Sequence, residues 1–422
     1  FYSWWNIIYL PLIVISMIFN FMIGSCLRKD TYFFQIYKKT LLFTGLIGNV
    51  GLLCYFKYAD FFIQNINIFL REEIPLLKLT LPLAISFFTF QQIAYLIDSY
   101  RNETREYNFL NYAVFVSFFP QLIAGPIVHH KEMMHQYNDR NNTSINYQNL
   151  ALGLFIFSIG LFKKVVLADT FAIWATNGFD KADTLMFLQA WITSISYTFQ
   201  LYFDFSGYTD MAIGLALLFN IRIPINFNSP YKATNIQDFW RRWHITLSRF
   251  LRNYIYIPLG GNKINNYRTN INILVTFLLG GIWHGAGWTF VFWGLLHGLA
   301  LVTQRIWNSF GYKMSPLIGL IVTFNFVNLT WIFFRAKEWG DAIKVLRGMF
   351  GFNGFELHFN YLQIMIVLFG LIIVMFAKNT SQNLEKEFRF NIFQIVQLSM
   401  MLSISIIVMR LIDESEFLYF NF

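Results

Sequence analysis

An all-helical, multi-pass membrane protein is the fold class that this chain of 422 residues predicts, and three observations predict it. Apolar residues make up 56%, aromatic residues 20% and charged residues only 13%, too few charges to cover a soluble globule of this length. The apolar residues gather into stretches close to the 17–25 residues, roughly, that cross about 30 Å of hydrocarbon. Stretches such as Leu41–Leu53 and Ile392–Ile407 carry apolar residues on every face, whereas barrel strands alternate apolar and polar positions, so the spans read as helices.

In chain order, spans are expected at Trp4–Cys26, Leu41–Tyr58, Leu76–Ile97, Phe109–Ile127, Leu150–Leu167, Leu185–Phe203, Ile271–Trp283, Phe290–Ile306, Leu317–Phe334, Tyr361–Phe376 and Ile392–Ile412, about eleven in all, two of them short. The chain opens on Phe1 rather than Met, so a leading segment is expected before it. Arg28, Lys29, Lys38 and Lys39 follow the first span and place its start outside, because basic loops stay in the cytoplasm. Asp413, Glu414 and Glu416 follow the last span, which suits an external C-terminus. Cys26 and Cys54 sit in or at the end of apolar spans without ligand spacing and read as small buried hydrophobes. No repeat or linker divides the chain, and residues 1–422 read as a single membrane domain. Pro75, Pro82, Pro120, Pro126, Pro224, Pro230 and Pro258 interrupt or flank apolar segments, and broken helices persist in a membrane only where protein or a wet cavity satisfies the freed backbone groups. The stretch Ser206–Gly287 is therefore expected to be irregular, partly re-entrant and wrapped by longer outer helices, with the catalytic core at about 200–300.

That stretch also holds the densest polar island of the chain. Ionisable residues in apolar surroundings cost several kcal/mol of desolvation, roughly, and mark chemistry or a transport path. Asp204 and Asp210 frame Asp204-Phe-Ser-Gly-Tyr-Thr-Asp210, and His244, His284 and His297 follow. Between Ile221 and Asn270 the basic residues Arg222, Lys232, Arg241, Arg242, Arg249, Arg252, Lys263 and Arg268 face one acid, Asp238. Such a segment suits either anionic lipid headgroups or an anionic cytoplasmic donor. Over Asp238–Asn253, Arg241, His244, Ser248 and Arg252 share one face of a helix opposite Phe239, Trp243, Leu247 and Phe250; an interfacial amphipathic helix and a donor-binding wall both account for it. His284 lies deep in Leu274–Phe292 among Gly280, Gly281, Gly285 and Gly287. Burial keeps an imidazole neutral, as a general base must be, and glycines around it leave room for a substrate; a hydrogen-bonded core histidine is the structural alternative.

Taken together, Ser86-Phe-Phe-Thr-Phe-Gln91, Pro120-Gln-Leu-Ile-Ala-Gly-Pro126, Tyr202-Phe-Asp-Phe-Ser-Gly-Tyr208, Asn226-Phe-Asn-Ser-Pro230, Phe239-Trp-Arg-Arg-Trp-His244, Tyr256-Ile-Pro-Leu-Gly-Gly261, Trp283-His-Gly-Ala286 and Tyr419-Phe-Asn-Phe422 resemble the membrane-bound O-acyltransferase (MBOAT) family, in particular its bacterial branch that O-acetylates alginate, peptidoglycan and related glycans. The resemblance runs over nearly the whole chain. It implies a ring of outer helices around a thin, distorted centre, with His284 and His244 catalytic, His284 as base and His244 orienting the donor or steadying the oxyanion; His297 matches a further family histidine. It implies acetyl-coenzyme A as cytoplasmic donor substrate and no bound cofactor or metal. Arg241, Arg242, Ser248 and Arg252 would bind the donor, and Asp204 and Asp210 would either support the site or hold the structure by hydrogen bonds. Tyr419 reads either as part of an interfacial aromatic belt or as an acyl relay to an exported partner. No serine, histidine and aspartate esterase arrangement is found in the chain, so a separate SGNH-type periplasmic or extracellular transferase is the expected partner, with lipid and no nucleic acid as the other surroundings, in a bacterial cytoplasmic membrane. D-alanyl transfer to teichoic acid from a carrier protein is the alternative within the family, and a transporter the alternative outside it.

Overall fold

The computed structural model describes residues 2–29, 31–104, 108–123, 125–356, 360–384, 391–411 and 418, and all regular structure among them is helical. The helices that matter below are α1 (Leu10–Leu27), α2 (Lys38–Asn67), α3 (Ile85–Tyr100), α4 (Phe109–Ser117), α5 (His130–Tyr137), α6 (Tyr147–Lys181), α7 (Phe187–Leu218), α8 (Ile236–Arg242), α9 (Ile245–Leu251), α10 (Asn266–His284), α11 (Trp288–Ser309), α12 (Pro316–Arg335), α13 (Trp339–Met349), α14 (Tyr361–Phe376) and α15 (Ile392–Leu411). Tyr419 and the acids Asp413, Glu414 and Glu416 lie outside the described residues.

Among the described residues, six helices are long and apolar enough to cross a membrane: residues 7–27, α2, α6, α12, Tyr361–Gln382 and α15. Two expected spans are corrected. Leu76–Ile97 becomes a helix only at Ile85, after Ala84 in the left-handed region (φ 59°), because Pro82 supplies no N–H to carry helix backwards. Phe109–Ile127 stops at Ser117, with Phe118 turned out of helix just before Pro120. By contrast α7, α10 and α11 run for 32, 19 and 22 residues but carry aspartate, asparagine, arginine and histidine within them.

The chain packs as two compact units. One comprises residues 1–150 and 215–224. Its α1, α2 and α3 are pinned by a buried amide network: Asn49 donates to Asn20 Oδ1 at 2.6 Å, Asn20 to Gln92 Oε1 at 2.9 Å, and Gln92 to Ser16 Oγ at 3.0 Å. Amides so placed satisfy one another, which removes the cost of burying them.

The other unit comprises residues 151–214 and 225–422 and contains every described candidate site residue. Its α6 and α7 touch backbone to backbone. A Cβ added to Gly160 would meet Gly207 O at 2.5 Å, one on Gly207 would meet Gly160 O at 2.7 Å, and one on Gly214 would meet Gly153 O at 2.6 Å. Small residues permit this approach in a medium where apolar burial drives no helix association. A π-helical turn at Lys163–Ala168 widens α6 at the same level.

The irregular stretch is shorter than Ser206–Gly287. Helix continues to Leu218, and the break spans the segment up to Asn265, with Asn220, Ser229 and His244 all at positive φ. The single amphipathic helix expected over Asp238–Asn253 is two seven-residue helices, α8 and α9, with Trp243 extended and His244 left-handed (φ 43°, ψ 55°) between them. Each is about 10 Å long and cannot cross a bilayer. The freed backbone groups pair internally, Ile245 N–H with Asn226 O (3.0 Å) and Asn228 N–H with Arg242 O (2.9 Å).

Replacing Gly160 by leucine should overpack the α6–α7 contact by about 1–3 kcal/mol and lower the thermal unfolding midpoint in detergent. Gly340→Ala, where a Cβ meets nothing within 4 Å, should leave that midpoint in place.

Candidate functional site

Helices α10 and α11 form a hairpin whose tip is Gly285-Ala286-Gly287. Of the glycines expected to open space around His284, Gly281 and Gly285 are filled by close contacts within the hairpin, whereas a Cβ on Gly287 would meet only ordinary contacts. A Cβ on Gly281 would collide with the Phe290 carbonyl, one on Gly294 with the Phe277 carbonyl, and one on Gly285 with the Phe290 ring. His284 is the last residue of α10 and is 3% exposed. Its ring is enclosed by Trp283 (centroids 4.9 Å), Trp293 (5.1 Å) and Phe334 (5.0 Å), with His244 at 6.4 Å. Carbonyls at a helix C-terminus favour positive charge, so this position supports an imidazolium forming during proton transfer.

Asn226 sets the state of His244. Its Oδ1 accepts the Thr246 N–H at 3.2 Å and the Thr246 hydroxyl at 3.0 Å, and lies 3.1 Å from His244 Nδ1. A backbone N–H can only donate, which identifies this atom as the amide oxygen and makes His244 Nδ1 the protonated nitrogen. Nε2 is then the acceptor. His244 is fully buried and stands in the turn between α8 and α9 rather than in a spanning helix; burial pushes its imidazole well below the ordinary value, so it stays neutral. The Phe205 ring meets it edge-on at 4.8 Å.

His297 is held differently. The Trp240 indole N–H donates to its Nδ1 at 3.2 Å, which puts the proton on Nε2, and Nε2 lies 3.0 Å from Thr330 Oγ1, whose own hydroxyl donates to Val327 O. Both ring nitrogens are committed inside a wall of Phe239, Trp293, Phe326 and Trp331. The geometry of His297 is that of a joint between α8, α11 and α12.

Asp204 and Asp210 are joined to α6 rather than turned toward the histidines. Lys163 Nζ contacts Asp210 at 2.7 Å, and Lys164 Nζ contacts Asp204 at 2.9 Å and Asp169 at 2.8 Å. The lysines were legible as two adjacent cations inside the apolar stretch Leu150–Leu167.

The far end of the hairpin carries a cleft of about 1420 Å³. Arg241, Arg252, Lys263 and Arg305 line it with Tyr256 and Gln304, and no carboxylate does among the described residues. Gly260 (φ 107°) and Gly261 (φ 55°) turn the chain at its edge, a backbone that side-chain-bearing residues rarely adopt. Arg242 and Ser248 are not in this cleft. Arg242 Nε binds Asp238 at 2.9 Å, and Ser248 Oγ reaches back to Trp243 O at 3.5 Å. The break at His244 is the reason: it turns His244 inward while Arg241 and Arg252 stay at the cleft. Lys263 and Arg305 join from loops and helices that periodicity over Asp238–Asn253 could not connect. From Asn270, at the cleft, to His284 is fourteen residues of helix, or about 21 Å.

Comparison with known proteins gives a match to the family model described as MBOAT, membrane-bound O-acyltransferase family, over residues 5–337. A peptidoglycan O-acetyltransferase from Helicobacter pylori is 49% identical to this chain, covering 100% of it and 89% of the relative. A probable alginate O-acetylase from Pseudomonas aeruginosa is 39% identical over 85% of this chain and 69% of the relative. A teichoic acid D-alanyltransferase from Streptococcus thermophilus is 28% identical over 60% of this chain and 68% of the relative.

His297→Ala should lower stability by about 2–4 kcal/mol, through lost packing and a buried indole N–H left without its acceptor. Thermal unfolding in detergent checks it; a variant of undiminished stability would contradict the assignment of His297 as a joint.

Proposed function

The chain belongs to the membrane-bound O-acyltransferase family, and from that premise we propose that it takes acetyl from cytoplasmic acetyl-coenzyme A and delivers it to an acceptor hydroxyl for O-acetylation of a surface glycan outside the membrane. The observation that carries this reading is the pairing of two features at opposite ends of one hairpin. One end holds two buried imidazoles, the other a basic cleft without carboxylates, separated by about 21 Å of helix. A donor that serves both ends has an anionic head, a long arm and a reactive carbonyl at its tip, and coenzyme A thioesters have that form. Arginine forks suit the phosphates.

In this mechanism the acceptor hydroxyl gives its proton to His284 as its oxygen attacks the thioester carbonyl. The carbon–sulfur bond breaks, the thiolate takes a proton, and coenzyme A and an acetyl ester are the products. His244, held by Asn226 with Nε2 as acceptor, orients the reacting groups, and the aromatic walls exclude water that would hydrolyse the thioester. The basic end of the hairpin faces the cytoplasm and the C-terminus the outside, by the distribution of lysine and arginine. The H. pylori relative makes peptidoglycan the first acceptor to test, with a separate SGNH-type transferase placing the acetyl on the polymer and Tyr419 as candidate carrier. The S. thermophilus relative supports a second reading, D-alanyl transfer from a carrier protein, whose acidic surface would meet the same basic cleft.

Offering purified chain acetyl-coenzyme A and, separately, a D-alanyl carrier protein decides between these. Coenzyme A release is the expected outcome, and turnover with the carrier protein alone overturns the acetyl reading. Arg241→Glu with Arg252→Glu should raise KM for acetyl-coenzyme A at least about tenfold, equivalent to about 1.4 kcal/mol, and leave kcat within about threefold, because the cleft binds the head of the donor and not its reacting carbon.

A further inference from the structure

The segment Asn226–Ser229 holds the turn at His244 from both sides. Ile245 N–H donates to Asn226 O at 3.0 Å and Asn228 N–H to Arg242 O at 2.9 Å, so backbone bonds bracket a histidine at φ 43°. Asn226 Oδ1 fixes the tautomer of the same ring. Ser229 closes the segment in the left-handed region as well, at φ 47°, a conformation that a side-chain-bearing residue keeps only where its surroundings hold it.

The group that holds this segment in turn comes from far along the chain. Asn379, 7% exposed, donates its amide to Asn228 Oδ1 at 2.7 Å and to Ser229 Oγ at 2.9 Å, across 151 and 150 positions. Its Oδ1 accepts the Ser381 hydroxyl at 2.6 Å and the Gln382 N–H at 3.0 Å. A backbone N–H can only donate, so the orientation of the amide is fixed and both its donors and both its acceptor positions are used. The next residue, Thr380, donates its hydroxyl to Asp210 Oδ2 at 2.7 Å, the same oxygen that Lys163 Nζ meets at 2.7 Å. A continuous path of hydrogen bonds therefore runs from the α6–α7 ion pair through Thr380 and Asn379 to Asn226–Ser229 and His244, within one compact unit. We propose that Asn379 is a positioning residue for His244: moored to Asp210 by Thr380, it fixes Asn226–Ser229 and with it the oxygen that keeps the proton on Nδ1. The link stands on hydrogen bonds alone, and only its consequence for turnover rests on the transferase reading.

Nitrogen NMR of the full chain in nanodiscs, with isotope-labelled histidine and His244 assigned by its absence in His244→Gln, reads the tautomer directly. Wild type should show His244 protonated at Nδ1. Asn379→Ala should give it a mixed or Nε2-protonated signature, because the segment no longer presents Asn226 Oδ1 to the ring. The same variant should lower kcat for coenzyme A release at least about fivefold and leave KM for acetyl-coenzyme A within about twofold. Adding Asn226→Ala should bring little further loss, since residues that act through one path are not additive. Asn49→Ala, which breaks the amide network of the other unit, is the control for general destabilisation: it should lower the thermal midpoint and move neither the His244 signature nor kcat. If Asn379→Ala fails to fold, Asn228→Ala removes the acceptor from the other side, keeps the backbone bond to Arg242 and should give the same changes. Wild-type tautomer and kcat in whichever of these two variants folds would overturn the proposal, as would an equal loss of kcat in Asn49→Ala. A shifted tautomer in a chain that releases no coenzyme A even as wild type would uphold the positioning and sink only the transferase reading.

Discussion

Two lysine–aspartate ion pairs, Lys163 with Asp210 and Lys164 with Asp204, join α6 to α7 in largely apolar surroundings. In such surroundings an unpaired charge costs several kcal/mol, roughly, and breaking a buried pair costs about 3–5 kcal/mol. The pairs therefore set the register of α7 on α6, and backbone contact at Gly160 and Gly207 permits them to close. Because Phe205 sits between the two aspartates and meets His244, the register of α7 is also the placement of the site.

The histidines illustrate how burial and hydrogen bonding divide one residue type into different tasks. His297 spends both nitrogens on Trp240 and Thr330 and becomes a joint. His244 is given one tautomer by Asn226 and keeps Nε2 as an acceptor. His284 lies at a helix C-terminus, where the carbonyls favour a positive charge on the ring. The three differ in what touches the ring, not in exposure: all are buried.

Much of this was legible in the sequence, and the misses have physical causes. Apolar stretches located α1, α2, α6, α12, α14 and α15, because composition alone distinguishes helices in lipid. Prolines announced that the centre is broken, but not that His244 would adopt positive φ and cut one amphipathic pattern into α8 and α9; that follows from Asn226, eighteen positions upstream. Gly281 and Gly285 suggest space for a substrate but are filled by neighbouring atoms, since sequence cannot tell a cavity from a close packing contact. Asn226 and Thr330 carry no signal of their own, whereas Lys163 and Lys164 stand out as two adjacent cations inside an apolar span. Arg241, Arg252 and Lys263, all within the basic segment that the sequence displays, line the cleft, and Arg305 joins them only through the fold.

The most direct test is release of coenzyme A from acetyl-coenzyme A by the purified chain in nanodiscs, with acceptor and partner transferase present, comparing wild type with His284→Ala of equal thermal stability. The account predicts a loss of about 10²–10⁴-fold in the variant, the share of a positioned general base. Turnover unchanged in a folded His284→Ala protein would contradict it.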